Sequence, residues 1–168
     1  MPSNPKDLEL RPFQILDKEW ALLVSGHEKP NPMTVSWGGF GTLWNKPTVT
    51  VYIRPTRYTH KLLDQSKEFT LNFFEERFRE AMDLCGSQSG RDIDKWKATG
   101  LHTVAGETVA VPRIQEANLS FECRVMAYQD FDPEKFVRPE VHEIYPQKDY
   151  HRIYWGEVLG IFSERKAS

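Results

Sequence analysis

No stretch of this chain approaches the roughly 18 apolar residues that mark a membrane-crossing helix, so no span is expected. The first twenty residues include Asp7, Glu9, Asp17 and Glu19 and lack an apolar core of signal-peptide length. A cytoplasmic location is the expectation. Cysteine is scarce. Cys85 and Cys123 are the two in the chain, and without a CxxC pair neither a zinc ribbon nor a thioredoxin-type site is readable. Cys123 alternates with Leu119, Phe121 and Val125 and reads as a buried core thiol. The five histidines are scattered, with no HxH or HExxH, and no metal site is expected. Neither sign of charge dominates. Lys and Arg number 22 against 24 Asp and Glu, a net charge of -2 at pH 7, which gives no general attraction to nucleic acid or an anionic membrane. Any cationic site must be local. Internal repeats, low-complexity segments and a break suggesting a second domain are also missing. Residues 1–168 read as one domain, long enough to bury roughly 70% of the unfolded surface.

What is present is a series of short strand-like segments. Residues 1–12 are polar with three prolines and read as an irregular N-terminal arm. Trp20 to Val24 is an apolar run ended by Ser25-Gly26, and Met33 to Trp37 is a second. Pro47 to Arg54 alternates: Val49, Val51 and Ile53 point one way, and Thr48, Thr50, Tyr52 and Arg54 the other, the pattern of a half-buried strand. Further strands are expected over 68–74, 118–128 and 151–162. Helical spacing is brief. Thr59 is placed to cap a short helix carrying Leu62 and Leu63. Phe78, Ala81 and Met82 mark a second over 75–84, and a third ends at Gly100. Residues 104–108 read as a turn between short strands, and Asp132-Pro133-Glu134 opens a helical turn. Many strands with few short helices predict a mainly β fold, a closed or nearly closed barrel with short helical inserts.

Two neighbouring stretches carry the chemistry. In residues 34–44, three glycines lie among Trp37, Phe40 and Trp44. The run is not GxGxxG and no long helix follows, which disfavours a dinucleotide fold. It reads either as a hairpin end with Trp37 and Trp44 in the core, or as backbone cleared so that N–H groups reach a flat ligand. Residues 54–59 place Arg54, Arg57 and Thr59 at a helix start, where free N–H groups and a partial positive charge favour phosphate. Guanidinium forks add charge-assisted bonds. The alternative is a solvated turn with rim arginines. Residues 85–90, CGSQSG, offer small residues and two hydroxyls, or simply a loop that ends a helix. Trp96 reads as packing. His151 opens the last strand beside Tyr150, Tyr154 and Trp155, either as a structural residue or as a contact for a substrate or pyridine nucleotide.

In this order, the segments NPMTVSWGGFGTLWNKPTVTVYIRPTRYTHKLL, FTLNFF, CGSQSGRDIDKW, LSFECRV and DYHRIYWGEV resemble the flavin reductase-like FMN-binding split-barrel proteins, specifically the flavoredoxin-type branch. The resemblance runs from about residue 31 to 158 and implies a split β-barrel that forms a homodimer, with non-covalent FMN near the subunit interface. It implies that Thr34, Ser36, Trp37, Gly38 and Gly39 line the isoalloxazine and that Arg54, Arg57 and Thr59 hold the phosphate. Asn72 and Phe73 are implied to flank the ribityl chain or ring. Cys85, Gly86, Ser87 and Ser89, with Lys95, are implied around the same cofactor. His151 falls in the family's terminal H-x-x-x-x-G-x-V pattern, at a position associated with nicotinamide or substrate. The better-known flavin reductases often read Gly-Asp-His there. This chain reads Lys148-Asp149-Tyr150-His151, which fits the flavoredoxin-like branch better. The implied function is an oxidoreductase passing electrons from NAD(P)H or a protein donor through FMN to a small-molecule or protein acceptor. The alternative is an FMN-binding electron-transfer module without its own NAD(P)H activity. In either case the cofactor does the chemistry and no side chain need act as nucleophile.

Overall fold

The structure is a computed structural model that describes residues 4–165. Strands form where the alternating segments stand: β1 (Ala21–Ser25), β2 (Asn31–Val35), β3 (Gly38–Leu43), β4 (Lys46–Ile53), β5 (Glu68–Phe73), β6 (Thr103–Val104), β7 (Arg113–Ile114), β8 (Leu119–Asp130) and β9 (Arg152–Ser163). Three short α-helices interrupt them: α1 (Tyr58–Ser66), α2 (Arg79–Ser87) and α3 (Lys95–Thr99). Seven strands make one antiparallel sheet in the order β2-β1-β5-β8-β9-β4-β3, and β6 pairs with β7.

The sheet curls on itself. Met33 and Val35 from its first strand share one buried cluster with Val49, Val51 and Ile53 of β4, and with Phe69, Leu71 and Phe73 of β5. Two register shifts between β8 and β9, at Glu122/Cys123 and Val125/Ala127, bend the long central strands, as bulges do. On the outer side of β1, a second cluster packs Leu22 and Val24 against Met82 and Cys85 of α2. Strand alternation thus sorts β1 between two cores, one inside the barrel and one beneath the helices.

Two expectations change. Residues 1–3 of the arm lie outside the described residues. Residues 4–12 are irregular apart from a 3-10 turn over Pro5–Asp7 that Asn4 caps, and beyond the arm a π-turn over Ile15–Glu19 buries Ile15 and Leu16. The second helix starts later than 75 and runs through Cys85, Gly86 and Ser87. Met82 and Cys85 share one apolar face, so burial carries the helix past the point where small residues suggested a loop. Trp37 and Trp44 are 49% and 63% exposed and therefore not core. Trp96 is packing, as its pattern suggests, with Nε1 donating to the Pro30 carbonyl at 2.8 Å.

Candidate functional site

The turn from β4 into α1 builds one end of a cleft. Pro55 follows the strand, and the Arg57 N–H donates to the Arg54 carbonyl at 3.0 Å, reversing the chain. Arg57 is the N-cap residue but makes no side-chain cap, and no acid stands in the first turn of the helix. The amides of Tyr58 and Thr59 therefore have no partner inside the helix, while His60 N–H donates to the Arg57 carbonyl at 3.1 Å. Thr59, expected at the cap, is the second residue of the helix. It is buried, and its Oγ1 accepts from Asn31 Nδ2 at 3.0 Å. Gly90 packs against that same asparagine: a Cβ there would fall 1.9 Å from Asn31 Oδ1.

A cavity of 490 Å³ opens between this turn, the start of β2, the α2–α3 connection and residues 144–149. Two exposed guanidiniums lie on it. Arg57 Nη1 donates to the Gly86 carbonyl at 3.2 Å. Arg91 Nη1 donates to the Thr56 carbonyl at 3.1 Å, and its guanidinium lies 5.3 Å from the centre of the Tyr58 ring. Each keeps most of its five N–H donors free. Arg54 is different. Its Nη1 donates to Asp149 Oδ1 at 2.8 Å and its Nη2 to the Ile144 carbonyl at 3.1 Å. Its charge is already paired.

The cleft continues. A smaller cavity of 170 Å³ shares Met33, Arg54 and Arg57 with the first and adds Thr34, Ser36, Trp37, Tyr52 and His151. A third, of 420 Å³, shares Ser36, Trp37, Tyr52 and His151 with the second and adds Phe13, Leu16, Gly38, Phe131 and Tyr145. The lining therefore passes from cations at one end to aromatic rings at the other. Tyr52 and Phe131 stack at 5.9 Å, and Trp37 and His151 lie 5.3 Å apart.

His151 is 8% exposed. Burial, and then the Arg54 charge, pushes its pKa down to about 4, so the ring is neutral near pH 7. Its Nδ1 lies 2.7 Å from Tyr145 Oη. Lys95 is also buried, with Nζ donating to the carbonyls of Pro32 at 3.0 Å and Cys85 at 2.7 Å. Burial lowers its pKa. The same burial pushes the Cys85 thiol up to about 11, which makes it a poor nucleophile. Thr34 Oγ1 donates to the Met82 carbonyl and so ties β2 to α2.

Most of the expected residues converge on the cleft: Thr34, Ser36, Trp37, Gly38, Arg54, Arg57, Thr59, Cys85, Ser89, Lys95 and His151 all line it. Five stand elsewhere. Gly39 lies on the open face of β3, and a Cβ there would meet nothing within 4 Å. Gly86 and Ser87 are helical, and only the Gly86 carbonyl touches the site, through Arg57. Asn72 and Phe73 are fully buried. The Asn72 amide donates to Leu22 O and Thr70 Oγ1 and accepts from the Ile114 N–H and Ser120 Oγ, so it is consumed in bridging strands. Phe73 packs in the barrel against Phe40 and Phe121. Conversely, Arg91 lines the cleft and is missed by the sequence reading, although it stands within the segment CGSQSGRDIDKW. Tyr145 carries no sequence signal, because its place depends on how 131–150 folds back.

A family model for the flavin reductase like domain matches residues 19–167. The chain belongs to that family. Its fold is the split β-barrel found in solved structures of similar proteins. It is similar to flavoredoxin from Methanosarcina acetivorans, with a TM-score of 0.70 and 23% identity over 98% of this chain and 75% of that one. Among curated proteins it is 30% identical to an uncharacterized protein of Pyrococcus abyssi over 150 residues, covering 87% of this chain and 74% of the relative. It is 33% identical over 105 residues to one of Archaeoglobus fulgidus, covering 62% of this chain but 59% of the relative's length.

Proposed function

We propose that this protein is a flavoredoxin-type oxidoreductase that holds FMN non-covalently along the cleft and passes electrons from NAD(P)H or a protein donor to an acceptor. The observation that carries this reading is the polarity of one continuous cleft. Free guanidinium donors and uncapped helix amides stand at one end, and the rings of Trp37, Tyr52 and Phe131 at the other. A phosphomonoester joined by a polar chain to a flat ring matches that order, so the residues present fit the group. When bound, FMN supplies the two-electron chemistry, and the protein supplies binding, orientation and electrostatics. Arg57, Arg91 and the first amides of α1 hold the phosphate by charge-assisted bonds. Trp37, Tyr52 and Phe131 give the ring an apolar wall. His151, neutral, offers a hydrogen bond beside it. We also propose that a second copy of the chain covers the open face of β3, completing a homodimer.

The test is an absorbance spectrum of the protein after incubation with FMN and gel filtration, repeated anaerobically with NADH and then NADPH. Flavin bands that bleach support a reductase and identify its donor. Bands that persist keep the cofactor and favour an electron-transfer module fed by another protein. Absence of retained flavin overturns the reading.

A further inference from the structure

Arg54 does more for the aromatic end of the cleft than for the cationic end. Its two hydrogen bonds go to Ile144 and Asp149, so one guanidinium clasps both ends of the 144–149 segment. Within that segment, Lys148 adopts a left-handed φ of 56° that folds the chain back. The same guanidinium lies 5.0 Å over the ring of Tyr145. Tyr145 is buried and flanked by the rings of Phe136 at 6.0 Å and Tyr150 at 5.0 Å. The phenol is thus fixed in place before it meets His151.

The geometry sets the direction of the bond between them. His151 Nδ1 is the one hydrogen-bond partner of the phenol oxygen among the described residues, so the hydroxyl proton has no other described acceptor. The hydroxyl proton then goes to Nδ1, 2.7 Å away. Nδ1 becomes the acceptor nitrogen, and the ring proton sits on Nε2. Nε2 bonds to no described protein group and is not sealed from the cleft. The charged and titratable groups facing the imidazole are Arg54, Asp149, Arg57 and Tyr145.

We propose that Tyr145, clasped by Arg54 and Asp149, is a positioning residue that locks His151 in the Nε2–H tautomer and so gives the aromatic end of the cleft a fixed neutral donor for an uncharged carbonyl or amide oxygen. A neutral donor does not select an anion, whereas the arginine end does. The ligand's identity rests on the flavin reading; the lock itself does not.

The experiment is a long-range nitrogen–proton NMR spectrum of the full chain between pH 8 and 5.5, for wild type, Tyr145→Phe and Asp149→Asn. Wild type is expected to show one neutral His151 tautomer, with Nε2 protonated. Tyr145→Phe removes the proton donated to Nδ1 and is expected to give both tautomers. Asp149→Asn loosens the clasp and shifts the mixture in the same direction. In turnover, Tyr145→Phe lowers kcat/KM for the electron donor about tenfold, as loss of one aligned hydrogen bond does. A wild-type His151 that shows Nδ1–H or two tautomers, or a Tyr145→Phe spectrum like that of wild type, overturns the lock while leaving flavin binding intact. A locked His151 in a protein that retains no flavin supports the lock and overturns the flavin reading.

Discussion

A guanidinium strengthens an anion site only with N–H groups it has left to give. Arg57 and Arg91 each spend one on a backbone carbonyl, whereas Arg54 is paired with Asp149. Arg57→Ala and Arg91→Ala are each expected to weaken FMN by about 1.5–3 kcal/mol, roughly ten- to a hundredfold in Kd. Flavin fluorescence titration measures this. Unchanged affinity in both removes the phosphate end. Arg54→Ala acts instead through the His151 wall. The sequence showed that arginines cluster at this turn. It did not show which of them is neutralised, because Asp149 arrives from 95 residues away.

His151 also makes stability depend on pH. Its folded pKa of about 4 lies below the unfolded value of 6.5. Between those values the unfolded chain binds the extra proton, so stability rises with pH, is fully present above about 6.5, and is lost as pH falls toward 4. The contribution is at most roughly 3–4 kcal/mol, since each pH unit between the two values is worth about 1.4 kcal/mol. Urea midpoints at pH 7.5 and 4.5 are expected to differ more for wild type than for His151→Gln. Equal differences exclude the effect.

At the level of elements, neighbouring glycines of β3 do different work. Gly38 opposes Val51 in β4, and a Cβ on it would fall 2.5 Å from the Thr50 carbonyl oxygen and 3.1 Å from Leu16 Cδ1. Gly39 and Gly41 face open space. Gly38→Ala is expected to cost about 1–3 kcal/mol, as overpacking does, while Gly39→Ala leaves thermal stability within about 0.5 kcal/mol. Melting curves of the two variants decide it, and an unaffected Gly38→Ala removes the close approach. The glycine run is conspicuous in sequence, but its division of labour is not. It depends on how closely β4 and the π-turn at Ile15–Glu19 approach the strand, and neither approach has a period to read in the sequence. The strands were legible for the opposite reason. Alternation in 47–54 and 118–128 is a local signal, and the barrel needs only that these faces meet. Asn72 shows the limit: the family resemblance implies a place beside the ribityl chain or ring, but here its amide is spent on neighbouring strands.

Over the whole molecule, the tip of the β3–β4 hairpin places a bulky, exposed residue in a left-handed conformation. Trp44 and Asn45 form a two-residue turn with φ of 50° and 61°. Both central residues of such a turn need positive φ, which glycine and asparagine adopt readily. A bulky residue there carries strain of about 1–3 kcal/mol. The Trp44 indole is 63% exposed and makes no hydrogen bond or ring contact among the described residues. β3 is also an edge strand, and an uncovered edge invites pairing. In the proposed homodimer, a second copy seated on β3 and Trp44 would supply that contact. Sedimentation equilibrium is expected to give twice the 19.6 kDa chain mass. Trp44→Asn relaxes the turn and removes the indole together, so its monomer should melt no lower than the wild-type monomer while the dimer dissociates at higher concentration. A wild-type chain that stays monomeric at tens of micromolar, with Trp44→Asn simply more stable, shows that the strained tip serves no self-association and removes the dimer.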